Sequence, residues 1–194
     1  MSTPTENKVV FGLEKVAFAI ATIAADGTAT YASPVMCPGA RSIALEPQGD
    51  LTPWYADNIA YYVADDFNSY QGDLEVAKFP DALMSSIWHE ATAANGVRYE
   101  EVGVEAVHFA LLFEFKGDKE KVRHVFYNCT GTRPAVSSST KEDTTEPQTS
   151  TTSITATSIY VAALEKDVIK GRCKEADAGY TNFYTAVVVP AATI

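Results

Sequence analysis

Three histidines, three cysteines and two adjacent carboxylate pairs are the side chains whose chemistry needs testing first. His89, His108 and His124 form no H-x-x-x-H pair, and no cysteine stands at ligand spacing beside them, so the nitrogen and sulfur set that zinc takes is not written into the chain. Cys37, Cys129 and Cys173 make no C-x-x-C pair, and an odd number cannot close into disulfides without a remainder; they read as reduced, partly buried thiols. A nucleophile needs an activating base and an orienting group, and no G-x-S-x-G, Cys–His signature or glycine-rich phosphate loop occurs. Asp65-Asp66 and Glu100-Glu101 have the residue types of a glycosidase acid and base. Neighbours on a strand point to opposite faces, however, which suits a solvated surface better. His108 and His124 flank Gly117-Asp118 at positions that could lie opposite each other, an arrangement that cross-strand packing explains equally well. The expectation is a chain with no catalytic residues, no cofactor and no metal.

Charge has clearer consequences. The chain carries 15 Lys and Arg against 25 Asp and Glu, a net charge of -10, and would be repelled by a duplex bearing one negative charge per ~1.7 Å. From Ser42 to Ala77 there is no Lys or Arg, whereas Glu46, Asp50, Asp57, Asp65, Asp66, Asp73 and Glu75 are all acidic. Trp54, Tyr55, Tyr61, Tyr62, Phe67 and Tyr70 share that stretch, so its composition is not that of a disordered acidic tail, and order is expected, if only on assembly. The calcium-loop pattern D-x-[DN]-x-[DN]-G is absent and the acids are scattered. A solvated face, or a surface that faces nucleic acid without holding it, remains.

The elements that would carry these residues are mostly strands. The 194 residues, 46% hydrophobic, suit one domain, 13–194, preceded by an N-terminal arm, 1–12. No apolar run reaches the roughly 18–20 residues of a membrane span, and the polar start does not read as a secretory signal, so synthesis and use in a cytoplasm are expected. Residues 16–24 and 28–33 flank Asp26-Gly27 as a hairpin, and 41–46, 59–64 and 69–79 are strand-like, the acidic stretch of about 46–70 reading as a long wet loop or hairpin. Pro80 starts an amphipathic helix, with Leu83, Met84, Ile87, Trp88 and Ala91 at helical spacing until Asn95-Gly96. Residues 107–116 and 122–130, separated by Gly117-Asp118, are the core strands. Residues 137–158 read as an exposed Ser/Thr-rich loop, about 137–150, running into a polar strand, and 180–189 as a turn of helix followed by a strand. The fold class is mainly β with one helix.

Ordered short motifs add to this reading: F-G-L at 11–13, P-G-A at 38–40, E-P-Q-G-D at 46–50, Y-A-D-N at 55–58, Y-Y at 61–62 and G-D-L-E-V-A at 72–77. Beyond the helix follow F-A-L-L-F-E-F-K-G-D at 109–118, R-H-V-F-Y-N-C at 123–129, R-P at 133–134 and T-E-P-Q-T at 145–149. In this order and spacing the chain resembles the major tail protein family of long-tailed, noncontractile phages of Gram-positive bacteria, from about residue 10 to 157, with a poor match over 158–179. The resemblance implies a structural tail-tube subunit of the virion: a β-sandwich or rolled sheet flanked by a helix of about 80–95, closing into hexameric rings stacked head to tail. It further implies a tape-measure protein, tail terminator and distal tail proteins as partners, and double-stranded DNA passing without specific binding. On that basis Asp50, Asp57, Asp65 and Asp66 become candidates for the lumen, repelling phosphate. Phe11, Trp54, Tyr55, Tyr61, Tyr62, Lys141, Glu142 and Asp143 become candidate assembly contacts, on arms that order against a neighbour. The alternative is a non-catalytic β-sandwich that binds carbohydrate or a cell surface through exposed aromatics.

Overall fold

In the computed structural model the described residues are 11–118, 120–136 and 148–192, with the backbone alone for 60, 64 and 65. The run Phe109-Ala-Leu-Leu-Phe113 sets the architecture. It is apolar at every position, so a strand made of it must be covered on both faces. Period-two alternation then divides it: Phe109, Leu111 and Phe113 enter one core, Ala110 and Leu112 the other. Val16 and Phe18 against Ala17 and Ala19, and Phe126 against Val125 and Tyr127, divide in the same way.

Around this run the chain builds β1 (Leu13–Ile23), β2 (Ala29–Tyr31), β3 (Val35–Met36), β4 (Ala40–Gln48), β5 (Leu51–Ala56), β6 (Ile59–Asp65) and β7 (Ser69–Val76), then α1 (Asp81–Ile87). After the helix come β8 (Glu90–Thr92), β9 (Arg98–Glu100), β10 (His108–Phe115), β11 (Arg123–Gly131), β12 (Ser150–Thr157), β13 (Ile159–Val161), β14 (Lys166–Val168) and β15 (Lys170–Cys173). Nine strands form one sheet, antiparallel in every pairing, ordered β2-β1-β10-β11-β12-β7-β4, with β3 also on β1 and β15 also on β11. The sheet rolls without closing. β3 lies on β1 at one end of the order, and Cys37 donates to the Val16 carbonyl at 2.7 Å. Three residues later β4 opens at the other end, where the Ala77 amide donates to Gly39 at 2.8 Å. The Asp26-Gly27 hairpin forms as expected: Asp26 accepts from the Thr28 amide at 3.0 Å and hydroxyl at 2.7 Å, and those bonds hold its carboxyl below the usual range.

One face of the roll is covered by α1, with Phe79, Leu83, Ile87 and Trp88 against Phe18, Phe109 and Ile154. The helix starts after Pro80 as expected but is only seven residues long. His89 takes φ 57, the chain turns out, and β8 and β9 follow as a hairpin, with Asn95-Gly96 as its turn where the sequence suggested a helix end. Arg98 ties that hairpin to the helix start, 2.7 Å from Asp81 and 3.3 Å from Glu90.

The second face is covered by β13, β14 and the C-terminal segment, whose 180–189 stretch the sequence suggested as a turn of helix followed by a strand. Ile159 and Val161 of β13, paired to β14, pack with Phe183, Tyr180, Tyr184 and Val187–Val189 over Ala110, Leu112 and Val125. Burying Phe183 alone contributes on the order of 2–3 kcal/mol. The C-terminal segment makes a run of turns over 175–186, with Phe183 donating to Tyr180 and Ala186 to Asn182, and no strand among residues 174–192. Arg123 fastens it. Its guanidinium lies 3.7 Å from the centre of the Tyr180 ring and donates to the Tyr180 carbonyl, while Nε pairs with buried Glu114 at 3.0 Å; Lys15 pairs with the same carboxylate.

Candidate assembly surface

β5 and β6 leave the sheet. They continue β4 and β7 as one ribbon: Asn68 donates to Gln48 and Asp66 to Asp50, both at 3.3 Å, and beyond that rung the strands pair only with each other. At the root Gly49 takes φ 146, and a Cβ there would meet the Phe67 backbone at 2.6 Å, so the two chains approach as only glycine allows. At the tip Asp57 and Asn58 have φ 51 and 62 between paired Ala56 and Ile59, the two-residue loop with both φ positive that matches strand twist. Tyr61 is an extra residue opposite Trp54, a bulge that brings the two rings to 6.1 Å edge to face. With seven residues in β6, the arm extends roughly 20 Å.

This arm is apolar on the outside. Trp54 is 61% exposed, Tyr55 65%, Tyr61 70% and Tyr62 63%, and Leu51, Ile59 and Val63 are exposed beside them. Among the described side chains none from 50 to 66 belongs to either core. An isolated two-stranded hairpin is marginal in water, and a contiguous exposed apolar surface marks a place for a partner. The stretch of about 46–70, read from the sequence as a long wet loop or hairpin, contains this β-hairpin, with Asp57-Asn58 as its turn between two apolar runs.

The structure divides the remaining candidates. Asp50 and Asp66 are exposed at the root, Asp65 closes β6 opposite Leu51, and Asp57 is exposed at the tip, so the acids do not form one cluster. Phe11 is exposed, its ring against Gly117 and its carbonyl accepting from the Gly117 amide at 2.9 Å. Lys141, Glu142 and Asp143, with most of the Ser/Thr-rich loop and residues 1–10 of the N-terminal arm, lie outside the described residues. Glu100 and the carbonyl of Glu101 both hold Arg133, at 3.0 and 2.6 Å. All three cysteines are buried, and burial pushes the Cys37 thiol up to about 11. Among the described residues no three His, Cys, Asp or Glu side chains gather where a metal could be held.

His108 and His124 are not opposite each other. His108 pairs with Ala21 of β1 and donates to the Asn128 side chain at 2.6 Å, whereas His124 lies opposite Phe113 and stacks on it at 5.3 Å. His124 is already paired on the turn side of the bulge between Phe109 and Leu111, and His108 lies further from the Gly117-Asp118 turn than His124 does, so the hairpin cannot set the two in register. Desolvation lowers the His124 pKa from 6.5; Asp118 opposes the shift, and Arg172 and Lys170 add to it. Its proton is then bound more tightly in the unfolded chain, so stability is unaffected well above pH 6.5 and is lost as pH falls from there through the folded value. His124→Phe, which keeps a ring on Phe113, should flatten the denaturation midpoint between pH 7.5 and 5.5. A variant as acid-sensitive as the parent would assign the loss elsewhere.

His124 also lines a second surface. β11 is paired to β15 along Arg123–Phe126 and to β12 along Asn128–Gly131, so the sheet forks. At the fork lies an open groove of about 500 Å³, floored by Phe113, Phe115 and Phe126 and walled by Ile43, Leu45 and Tyr70. Lys170 and Arg172 of β15 stand at its rim. The seven-residue helix is about 10 Å long, and none of its residues lines the groove.

An arm without a core of its own, on a subunit with an open apolar groove, offers two surfaces of the kind that binding partners cover. The model of the phage tail tube protein family matches residues 3–193, and the chain belongs to that family. It is a structural component of the phage virion, in the tail. Among curated proteins none matches significantly. Among the described residues no helix is long and apolar enough to cross a membrane.

Proposed function

We propose that the chain is the major tail tube subunit, that it closes into hexameric rings stacked head to tail, and that the stacked rings form the conduit through which DNA is ejected. Its role is physical and not catalytic. The observation that carries the reading is the β5–β6 arm on a member of the tail tube family: exposed Trp54, Tyr55, Tyr61 and Tyr62 demand a covering surface that the subunit does not supply. Rings and stacks both need one patch to meet a different patch, and a protruding arm provides one half of such a contact. Phe11 and residues 141–143 are further contacts of the same kind. The tape-measure protein, tail terminator and distal tail proteins are its partners in a tail assembled in the host cytoplasm.

Of the carboxylates at the root of the arm, Asp50 and Asp66 face the bore, and Asp57 reaches toward the next copy. Repeated six times per ring, root carboxylates on a stretch that has no Lys or Arg from 42 to 77 keep phosphate from adhering and leave the duplex free to slide. Purified chain examined by negative-stain microscopy should show six-fold rings and tubes. A protein that stays monomeric at high concentration would sink the reading, and a helical reconstruction with the root carboxylates on the outer wall would sink the lumen assignment alone.

A further inference from the structure

Two surfaces of this molecule are each incomplete, and they match. The arm is apolar, aromatic and free of cations, with Asp57 at its tip. The groove at the β11 fork is apolar and aromatic, and Lys170 and Arg172 border it. Neither of these cations is ion-paired to a carboxylate among the described residues. Lys170 lies 4.5 Å over the Tyr70 ring, and both approach His124 closely enough to disfavour its charged form. A volume of about 500 Å³ falls within the ~300–1,000 Å³ range of pockets that enclose organic groups, room enough for aromatic side chains. The subunit's own arm begins beside the groove, where Phe67 contacts Tyr70 and Tyr70 contacts Phe126 at 5.3 and 5.2 Å, and then runs on with its rings in solvent.

We propose that the groove formed by Ile43, Leu45, Tyr70, Phe113, Phe115 and Phe126 receives the β5–β6 arm of a second copy of this chain, with Lys170 and Arg172 facing Asp57. This rests on the self-assembly reading and names its receiving surface. The contact is heterologous, because arm and groove are different patches, and each subunit offers one of each, so it propagates from copy to copy. Burying the aromatic tip would supply the cohesion, while the charges would set its register and speed encounter. Nothing in the pairing requires either surface to refold.

A charge swap tests it. The Lys170→Glu, Arg172→Glu variant has an acidic arm and an acidic groove, and Asp57→Lys leaves a cationic tip facing a cationic rim; each should fold normally by circular dichroism and reduce the assembled fraction at least tenfold in sedimentation. Combining Asp57→Lys with Lys170→Glu and Arg172→Glu should restore assembly. Wild-type assembly that all three variants reproduce, or a triple variant no better than its parents, overturns the groove assignment and leaves the tube reading standing. A wild-type chain that never assembles overturns both. A second readout is independent of variant folding: carbodiimide coupling in assemblies mixed from ¹⁴N and ¹⁵N chains should join Asp57 to Lys170 with mixed isotopes. Same-isotope products alone would mean that the arm folds onto its own groove, and the proposal would fail.

Discussion

Excising residues 51–65 and joining Asp50 to Asp66 through Asn-Gly should give a chain that folds as the parent does and forms neither rings nor tubes. The junction is already made: the Asp66 amide donates to the Asp50 carbonyl at 3.3 Å, so these residues face each other across the ribbon, and Asn-Gly supplies the tight turn. No described side chain of residues 50–66 belongs to either core. Unfolding free energy should therefore change by less than about 1 kcal/mol, as for other surface alterations. Assembly, in contrast, loses the exposed Leu51, Trp54, Tyr55, Ile59, Tyr61, Tyr62 and Val63 together. Sedimentation and microscopy on one preparation separate the outcomes. A trimmed chain that polymerises would remove the arm from assembly, and one that unfolds would show that the arm supports the core. In the intact monomer, amide exchange should be fast along 51–65 and slow in β1, β10 and β11, because a hairpin with no covered face opens locally at little cost.

How much of this was legible depended on whether a segment's pattern was its own or its neighbours'. The 107–116 and 122–130 strands were plain because every residue of Phe109–Phe113 is apolar, and Asp26-Gly27 and Gly117-Asp118 are turns in any context. The helix start was equally local, fixed by Pro80, but its end was not. Ala91 and Asn95-Gly96 fit a longer helix and a hairpin alike, and tertiary contacts decided: Arg98 reaching Asp81 and Glu90 favours the hairpin. Pro53 counts against a strand because it cannot donate to a ladder, yet β5 lies in a two-stranded arm with one edge open, where that loss is tolerated. β13, β14 and β15 are three or four residues each, and β15 is half charged. They exist because β11 and the second core face need cover, a demand that comes from other parts of the chain. The site followed the same rule. Trp54, Tyr55, Tyr61 and Tyr62 could be named from composition, but the groove that suits them is assembled from β4, β7, β10, β11 and β15, and no stretch of sequence contains it.

Gly72→Ala should be the most damaging Gly→Ala substitution among the described glycines. Gly72 sits in the middle of β7, in register with Leu45 of β4 on one side and Ile154 of β12 on the other. A Cβ there would lie 1.8 Å from the Ala44 oxygen, 2.8 Å from its carbonyl carbon and 3.0 Å from the Leu45 Cα. These are backbone atoms that no rotamer change can move aside, so β4 must separate from β7, and the cost should be at least about 3 kcal/mol. Gly96→Ala is the control. Nothing lies within 4 Å of that site, so its penalty is only that of an L-residue at φ 84, about 1–2 kcal/mol. Urea unfolding of the two variants should separate them by that margin, and equal losses would mean that the β4–β7 pairing relaxes around the methyl. The consequence reaches assembly because the arm is the continuation of these two strands: a shift at Gly72 is a shift of the arm's root, amplified along roughly 20 Å. At low temperature, where enough Gly72→Ala chain remains folded, it should still assemble worse than its folded fraction allows, whereas Gly96→Ala should assemble in proportion to it.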